Sequence, residues 1–146
     1  MSWMDIISNN LINFQSRFGY IYNNVLSGAI IIDFKGNICA RTVGISINNE
    51  EVEKLKELFA QRKNTISFIK LGGKKYRIFH YKQNEHAYVG GFHSGATIAK
   101  SNLLFIIGFY DTEKNFLLDG APKPQSVGIC NHVVEELAIK LKNLNY

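Results

Sequence analysis

The sequence predicts an α+β fold, and three observations carry that expectation. Segments with a helical period stand near both ends of the chain and once in its middle; short apolar or alternating runs fill the space between them; and the turns joining those runs are too short to hold crossover helices. Runs of strands between segregated helices put the terminal helices on one face of a single antiparallel sheet. The middle helix then takes the other face.

The elements follow in order. Ser2 with Asp5 three residues on is a carboxylate variant of the capping box, and Trp3, Ile6, Ile7, Leu11 and Phe14 recur at helical spacing, so a first helix runs from about Ser2 to Asn13. Gln15 to Asn24 is polar and aromatic without a period. Gly28 to Phe34 is an apolar, β-branched run too short for a helix and reads as a buried strand, with a Lys35-Gly36-Asn37 turn and a partner strand from Ile38 to Val43. Asn48 and Glu51 repeat the capping signal before an amphipathic helix of about Asn49 to Arg62, whose Val52, Leu55, Leu58 and Phe59 share a face. Thr65 to Leu71, Lys75 to Tyr81, Ala87 to Phe92, Ala96 to Lys100 and Leu103 to Tyr110 are strands joined by short turns, an antiparallel meander. Asp111 to Ser126 holds Pro122 and Pro124 and is expected to be a long loop. Val133, Val134, Leu137, Ala138, Leu141 and Leu144 mark a last helix, with Lys140 and Lys142 at the end its dipole favours.

Composition bounds the function. A chain of 146 residues, 46% hydrophobic with 2 Pro, can bury a core and reads as one domain over residues 1–146. Its apolar runs fall short of the roughly 18 residues of a membrane helix, and Met1 to Asn13 lacks a signal-peptide pattern, so a soluble cytoplasmic monomer is expected. Cys39 and Cys130 read as free thiols. The net charge of +5 is a solvated surface or a match to an acidic partner, with clusters at Lys70, Lys74, Lys75, Arg77 and Lys82 and at Lys140 and Lys142. His80, His86, His93, His132 and the two cysteines form no catalytic spacing. Cys130 and His132, two apart on a helix, point to different sides, which makes Cys130 a core residue. Gly72-Gly73 lacks the rest of a phosphate loop, and a metal held by His86 and His93 needs two further ligands that the sequence does not supply. No enzyme, cofactor, metal or nucleic-acid function is expected.

Four motifs point further. Met1-Ser2-Trp3 opening a helix, Leu71-Gly72-Gly73-Lys74-Lys75-Tyr76 at a hairpin, Gly95-Ala96-Thr97-Ile98-Ala99-Lys100 leading to Ile107-Gly108-Phe109-Tyr110, and Gly128-Ile129-Cys130-Asn131-His132-Val133-Val134-Glu135-Glu136-Leu137 together resemble the profilin family in order and spacing. Phe14 to Asn24 and Thr112 to Gln125 look like insertions. The resemblance implies a profilin-like central antiparallel sheet and a cytoskeleton-associated regulator of filament assembly that binds monomeric actin, uses no cofactor and catalyses no reaction. By motif register it places actin contacts on Ile66, Lys75, Ile78, Phe79, His80, Asn131 and Glu136. Lys75, Arg77, Phe79 and Tyr81 are expected to alternate along one strand face, a mix of cations and apolar area that suits a protein interface.

For proline-rich peptides the resemblance implies Trp3, Leu141 and Tyr146. Ile6, Cys39 and Lys140 stand where rings are usual in the family, so that site is expected to be weak or altered. For phosphoinositides it implies Lys74, Lys75, Arg77 and Lys82, while the turn Gly90-Gly91-Phe92-His93-Ser94 carries no cation. Phe116-Leu117-Leu118 either folds back over the sheet edge or, if exposed, adds a contact. The alternative is a profilin-like or roadblock/longin-like scaffold for a GTPase or trafficking complex, since architecture alone does not separate these.

Overall fold

The computed structural model describes residues 2–63 and 65–146. Met1, the first residue of the opening motif, lies outside them. Helix α1 (Trp3–Ile7) begins at Ser2, whose hydroxyl accepts from the Asp5 N–H (3.1 Å) while the Asp5 carboxylate accepts from the Ser2 N–H (3.3 Å). That is the expected box. The helix widens into a π-helical turn, Ser8–Ile12, closed by the Asn13 N–H on the Ser8 carbonyl at 2.8 Å.

Nine of the described strands follow the predicted plan or extend it: β1 (Phe14–Gln15), β2 (Ile21–Asn23), β3 (Gly28–Asp33), β4 (Ile38–Arg41), β5 (Phe68–Leu71), β6 (Lys74–Lys82), β7 (His86–Gly90), β8 (Ser94–Lys100) and β9 (Leu104–Asp111), with α2 (Asn49–Ala60) between β4 and β5. The main sheet runs β4-β3-β9-β8-β7-β6-β5, every neighbouring pair antiparallel. Helix α3 (Val127–Asn143) completes the chain's elements.

The central strands are apolar throughout because both of their faces are covered. On β3, Ala29 and Ile31 join α1 and α3 in one cluster with Leu104 and Ile106 of β9; Ile30 and Ile32 join α2 in a second cluster with Phe105, Ile107 and Phe109. The terminal helices therefore share one face and α2 holds the other, as predicted. Gly108 sits under α3, where an added Cβ would meet Val134 Cγ2 at 2.6 Å and Leu26 Cδ1 at 2.7 Å. The missing side chain lets the helix lie close to the sheet.

The second cap does more than start a helix. Asn48 Oδ1 accepts from the Glu51 N–H (2.8 Å) and Glu51 Oε1 accepts from the Asn48 N–H (3.0 Å). The same carboxylate also takes the N–H groups of Gly72 (3.1 Å) and Gly73 (2.9 Å), which fold the β5–β6 turn at φ +62° and +80°. Glu51 is 5% exposed and ties α2 to that hairpin. We expect Glu51→Ala to cost about 2–3 kcal/mol in urea unfolding, the value of charge-assisted bonds lost from a buried site. Glu51→Gln, which keeps an acceptor oxygen, should recover part of it.

Two expectations need correction. The segment 111–126 is not a loop: it forms a hairpin of β10 (Asn115–Leu118) and β11 (Ala121–Pro124), closed by Asp119 and Gly120 at φ +49° and +82°. Two positive-φ residues in a two-residue turn match the twist of a hairpin, and Asp-Gly is a favoured pair for it. The prolines are tolerated because β11 is the edge strand, in the order β1-β2-β10-β11. The two apparent insertions thus build one accessory sheet, with Leu117 opposite Asn23 and Leu118 opposite Tyr22. Phe116 is buried in the α1–α3 cluster and stacks on Tyr22, so the segment folds back. Gln125 locks the junction: its amide donates to the Asn24 carbonyl (3.0 Å) and its Oε1 accepts from the Asp111 N–H (3.0 Å).

The second correction concerns β6. A bulge leaves Phe79 without a partner, with Ile78 opposite Val89 and His80 opposite Tyr88. Beyond it the pleat changes phase. Tyr81 consequently turns toward α2, where its hydroxyl donates to the Gln61 carbonyl, and does not share a face with Lys75, Arg77 and Phe79.

Candidate functional site

Helix α3 packs on β8 and β9, and the same face of β5 and β6 carries a different kind of surface. Lys70 and Lys75 pair across the β5–β6 ladder, as do Phe68 and Arg77, so these four side chains share that face. Phe79 joins them by lying over Gly90, where a Cβ would meet its ring at 2.6 Å. Phe68 and Phe79 are 47% and 66% exposed. The Lys75 ammonium sits 4.4 Å from the Phe68 ring centre and the Arg77 guanidinium 5.9 Å from that of Phe79. Cations held over aromatic faces give apolar area and positive charge in one patch, the makeup of a surface for a negatively charged partner.

Of the residues expected to meet actin, Lys75, Phe79 and His80 share this face. Ile66 and Ile78 lean half-buried against the α2 cluster on the other side of the sheet. Asn131 lies over β8, where its Oδ1 accepts from the Thr97 hydroxyl at 2.5 Å. Glu136 is turned away, into a cleft it shares with Asn10, Phe14, Arg17, Phe18 and Lys140. The set therefore does not form one continuous patch.

Sequence reasoning missed the group that joins α3 to the open half of the sheet. Glu135 Oε1 accepts from the Tyr88 hydroxyl (2.7 Å) and from His86 Nδ1 (2.8 Å), and His86 stacks on Tyr88 beside His80. Burial pushes the His86 pKa down, against the opposing pull of the Glu135 charge, and the Tyr88 phenol is pushed up to about 12. The alternation of His86 and Tyr88 along β7 puts them on one strand face, but no local pattern in the sequence pairs that face with Glu135 of α3.

Trp3 and Tyr146 do meet, edge to face, with ring centres 5.4 Å apart. Tyr146 is held rather than frayed: its N–H donates to the Leu141 carbonyl, and its own carbonyl accepts from the Leu103 N–H and the Ser101 hydroxyl, each at 2.9 Å. Leu141 lies beneath in the core at 2% exposure. Ile6 and Cys39 are half-buried against the same cluster, and Lys140 donates to Asn10 Oδ1 at 3.3 Å.

The four cations expected to bind phosphoinositides do not converge. Lys74 points to the opposite side of β6 from Lys75 and Arg77, over the Tyr76 ring and onto Ser94, and Lys82 is paired with Glu85 at 2.7 Å. Cys130 is the core thiol expected. It is fully buried, donates to the Gly108 carbonyl at 3.3 Å, and burial pushes its pKa up to about 12. Among the described residues no helix is long and apolar enough to cross a membrane, and no three His, Cys, Asp or Glu side chains converge as metal ligands.

A helix-flanked antiparallel sheet whose open half displays cations stacked on aromatic rings defines a binding module for a macromolecular partner. The chain belongs to the profilin family, whose family model matches residues 1–146. In fold it is similar to Acanthamoeba castellanii profilin IB (TM-score 0.69, 20% identity, covering 84% of this chain and 89% of that one). LokiProfilin1 in a complex with rabbit actin is also similar (TM-score 0.61, 20% identity, 82% and 84% covered). So is mouse profilin IIa in complex with a double repeat from the FH1 domain of mDia1 (TM-score 0.59, 13% identity, 83% and 89% covered). No curated protein matches the sequence.

Proposed function

We propose that this chain is a single-domain, cytoplasmic actin-monomer-binding protein that regulates filament assembly and carries out no chemical step. The observation that carries the reading is the open half-sheet, where Lys75, Arg77, Phe68 and Phe79 combine charge with apolar area. Membership in the profilin family supports it, as does the complex of LokiProfilin1, a fold neighbour, with rabbit actin. Lys75, Phe79 and His80 form the centre of the contact, Asn131 its border on α3, and Ile66, Ile78 and Glu136 lie outside that centre. Actin is acidic, which suits a chain of net charge +5.

Proline-rich peptides bind weakly in this reading. Trp3 and Tyr146 offer one edge-to-face aromatic pair, while Ile6, Cys39 and Lys140 supply no further ring and Leu141 lies in the core. Phosphoinositides compete with actin through Lys75 and Arg77, with Lys74 and Lys82 outside that patch. The match to the profilin family over residues 1–146 favours this reading over the roadblock and longin scaffolds.

The test is spontaneous polymerisation of fluorescently labelled actin with increasing amounts of the purified chain, followed by passage over a polyproline column. Slower polymerisation with slight column retention is expected, and phosphoinositide vesicles should relieve the inhibition. Unchanged polymerisation at any ratio would remove the actin assignment.

A further inference from the structure

We propose that His80 and His86 act as one proton-binding unit that couples actin affinity to pH, so that the chain holds actin more tightly as the medium acidifies; this rests on the actin reading above. The bulge at Phe79 builds the unit: beyond it His80 lies on the α3-side face of β6, diagonal to His86 across the β6–β7 ladder. The two Nε2 atoms stand 3.1 Å apart, a hydrogen bond from ring to ring, and His86 Nδ1 lies 2.8 Å from Glu135 Oε1. That oxygen also accepts from the Tyr88 hydroxyl at 2.7 Å. His80 is exposed and His86 half-buried, so one end of this series of bonds faces the partner and the other is anchored on α3.

The hydrogens of the unit can be counted. In the neutral pair His86 donates from Nδ1 to Glu135, which leaves its lone pair on Nε2, and His80 fills the gap between the rings with its own Nε2 hydrogen. A proton taken from water at His80 Nδ1 leaves all of these bonds standing, and the hydrogen between the rings then resides on either Nε2. A second proton would put two hydrogens and two like charges into that one gap, so the unit binds a single proton. The Glu135 charge favours the cation, but burial opposes it more strongly and pushes the His86 pKa down. Around the pair, Lys82 of β6 is paired with Glu85 at 2.7 Å, Lys100 of β8 reaches Asn84 at 3.5 Å, and Lys142 of α3 shares a cleft with Glu85, Lys100 and Glu135. Three cations against two carboxylates oppose a further positive charge in the free chain, and an acidic partner laid over His80 reverses that balance. The pair's proton affinity is then higher in the complex than in the free chain. By linkage, actin affinity rises as pH falls through the pKa of the complex and levels off below that of the free chain.

The test is calorimetric titration of monomeric actin, kept from polymerising, with the full chain from about pH 8 to about pH 6, in two buffers of different ionisation enthalpy so that protons are counted. Affinity should rise about three- to tenfold over that range, within the tenfold per pH unit that one proton allows, with uptake of up to one proton on binding. His80→Gln and His86→Gln keep a hydrogen-bonding side chain that does not titrate, and each should remove most of the rise, whatever it does to affinity at the alkaline end. Titration of actin itself is common to parent and variants. His93→Gln and His132→Gln should keep the rise, and Glu135→Gln should move it to lower pH, because His86 then lacks the charge that favours its cation. Far-UV circular dichroism on each variant separates loss of the unit from loss of the fold. An equal rise in the parent, His80→Gln and His86→Gln, or no rise in the parent, overturns the coupling while leaving actin binding in place. Absence of binding at every pH removes the actin assignment itself, a different result. Imidazole NMR of the chain alone reads the pair without actin: the His80 titration should shift in His86→Gln, and an unchanged titration overturns the shared proton.

Discussion

Phe116→Ala is expected to destabilise the fold by about 3–5 kcal/mol, the usual cost of deleting a buried aromatic ring. Its ring is 5% exposed, belongs to the cluster formed by α1 and α3, and stacks on Tyr22 with centres 6.1 Å apart. The substitution therefore opens a cavity and loosens the accessory sheet at once. Urea unfolding measures it, and Leu117→Ala, two-thirds covered on the neighbouring position of the same strand, should lose far less. A loss below about 1 kcal/mol for Phe116→Ala would show that the hairpin is a passive addition to the core. For the same reason, removing residues 116–120 should harm folding before it harms any binding.

The second large effect is on affinity. Lys75→Glu combined with Arg77→Glu should weaken actin binding about tenfold to a hundredfold, since two reversed charges then face an acidic partner and like-charge contact costs several kcal/mol at most. Both cations are exposed and stacked on Phe68 and Phe79, so the pair of substitutions leaves the core intact. Much of the loss should appear in the association rate and shrink as salt is raised. Lys35→Glu, in the β3–β4 turn at the opposite edge of the sheet, is the matched control. Equal affinity for the double variant and the parent would place the actin surface elsewhere.

How far these surfaces could be read in advance varied with the physics of each element. The α+β layering was legible because a buried strand such as Gly28–Asp33 and an amphipathic helix such as Asn49–Ala60 announce themselves by period, and both capping boxes were visible as residue pairs three apart. The accessory hairpin was obscured by Pro122 and Pro124, although Asp119-Gly120 is a strong turn signal. What the prolines exclude is a central strand, and an edge strand is compatible with them. The short strands β1 and β2 had no period to show, being two and three residues long. At the site, Lys75 and Phe79 were legible from alternation, and Trp3 with Tyr146 from the terminal motifs. The His80–His86–Tyr88–Glu135 group was not, because it depends on a bulge and on a helix crossing a strand forty-seven residues away from it in sequence.

The bulge at Phe79 also sets a rule of arithmetic for this strand. Tyr76 and Tyr81 are an odd number of positions apart, and in an unbroken ladder they would point to opposite faces; here both anchor the α2 side. One uncounted residue reconciles them. Substitutions along β6 can accumulate in a lineage one at a time, each judged on its own contact, whereas the loss or gain of a single codon between Tyr76 and Tyr81 would exchange the inner and outer side chains of half the strand in one step. The number of residues in that segment therefore decides which side chains of the strand face α2 and which face outward.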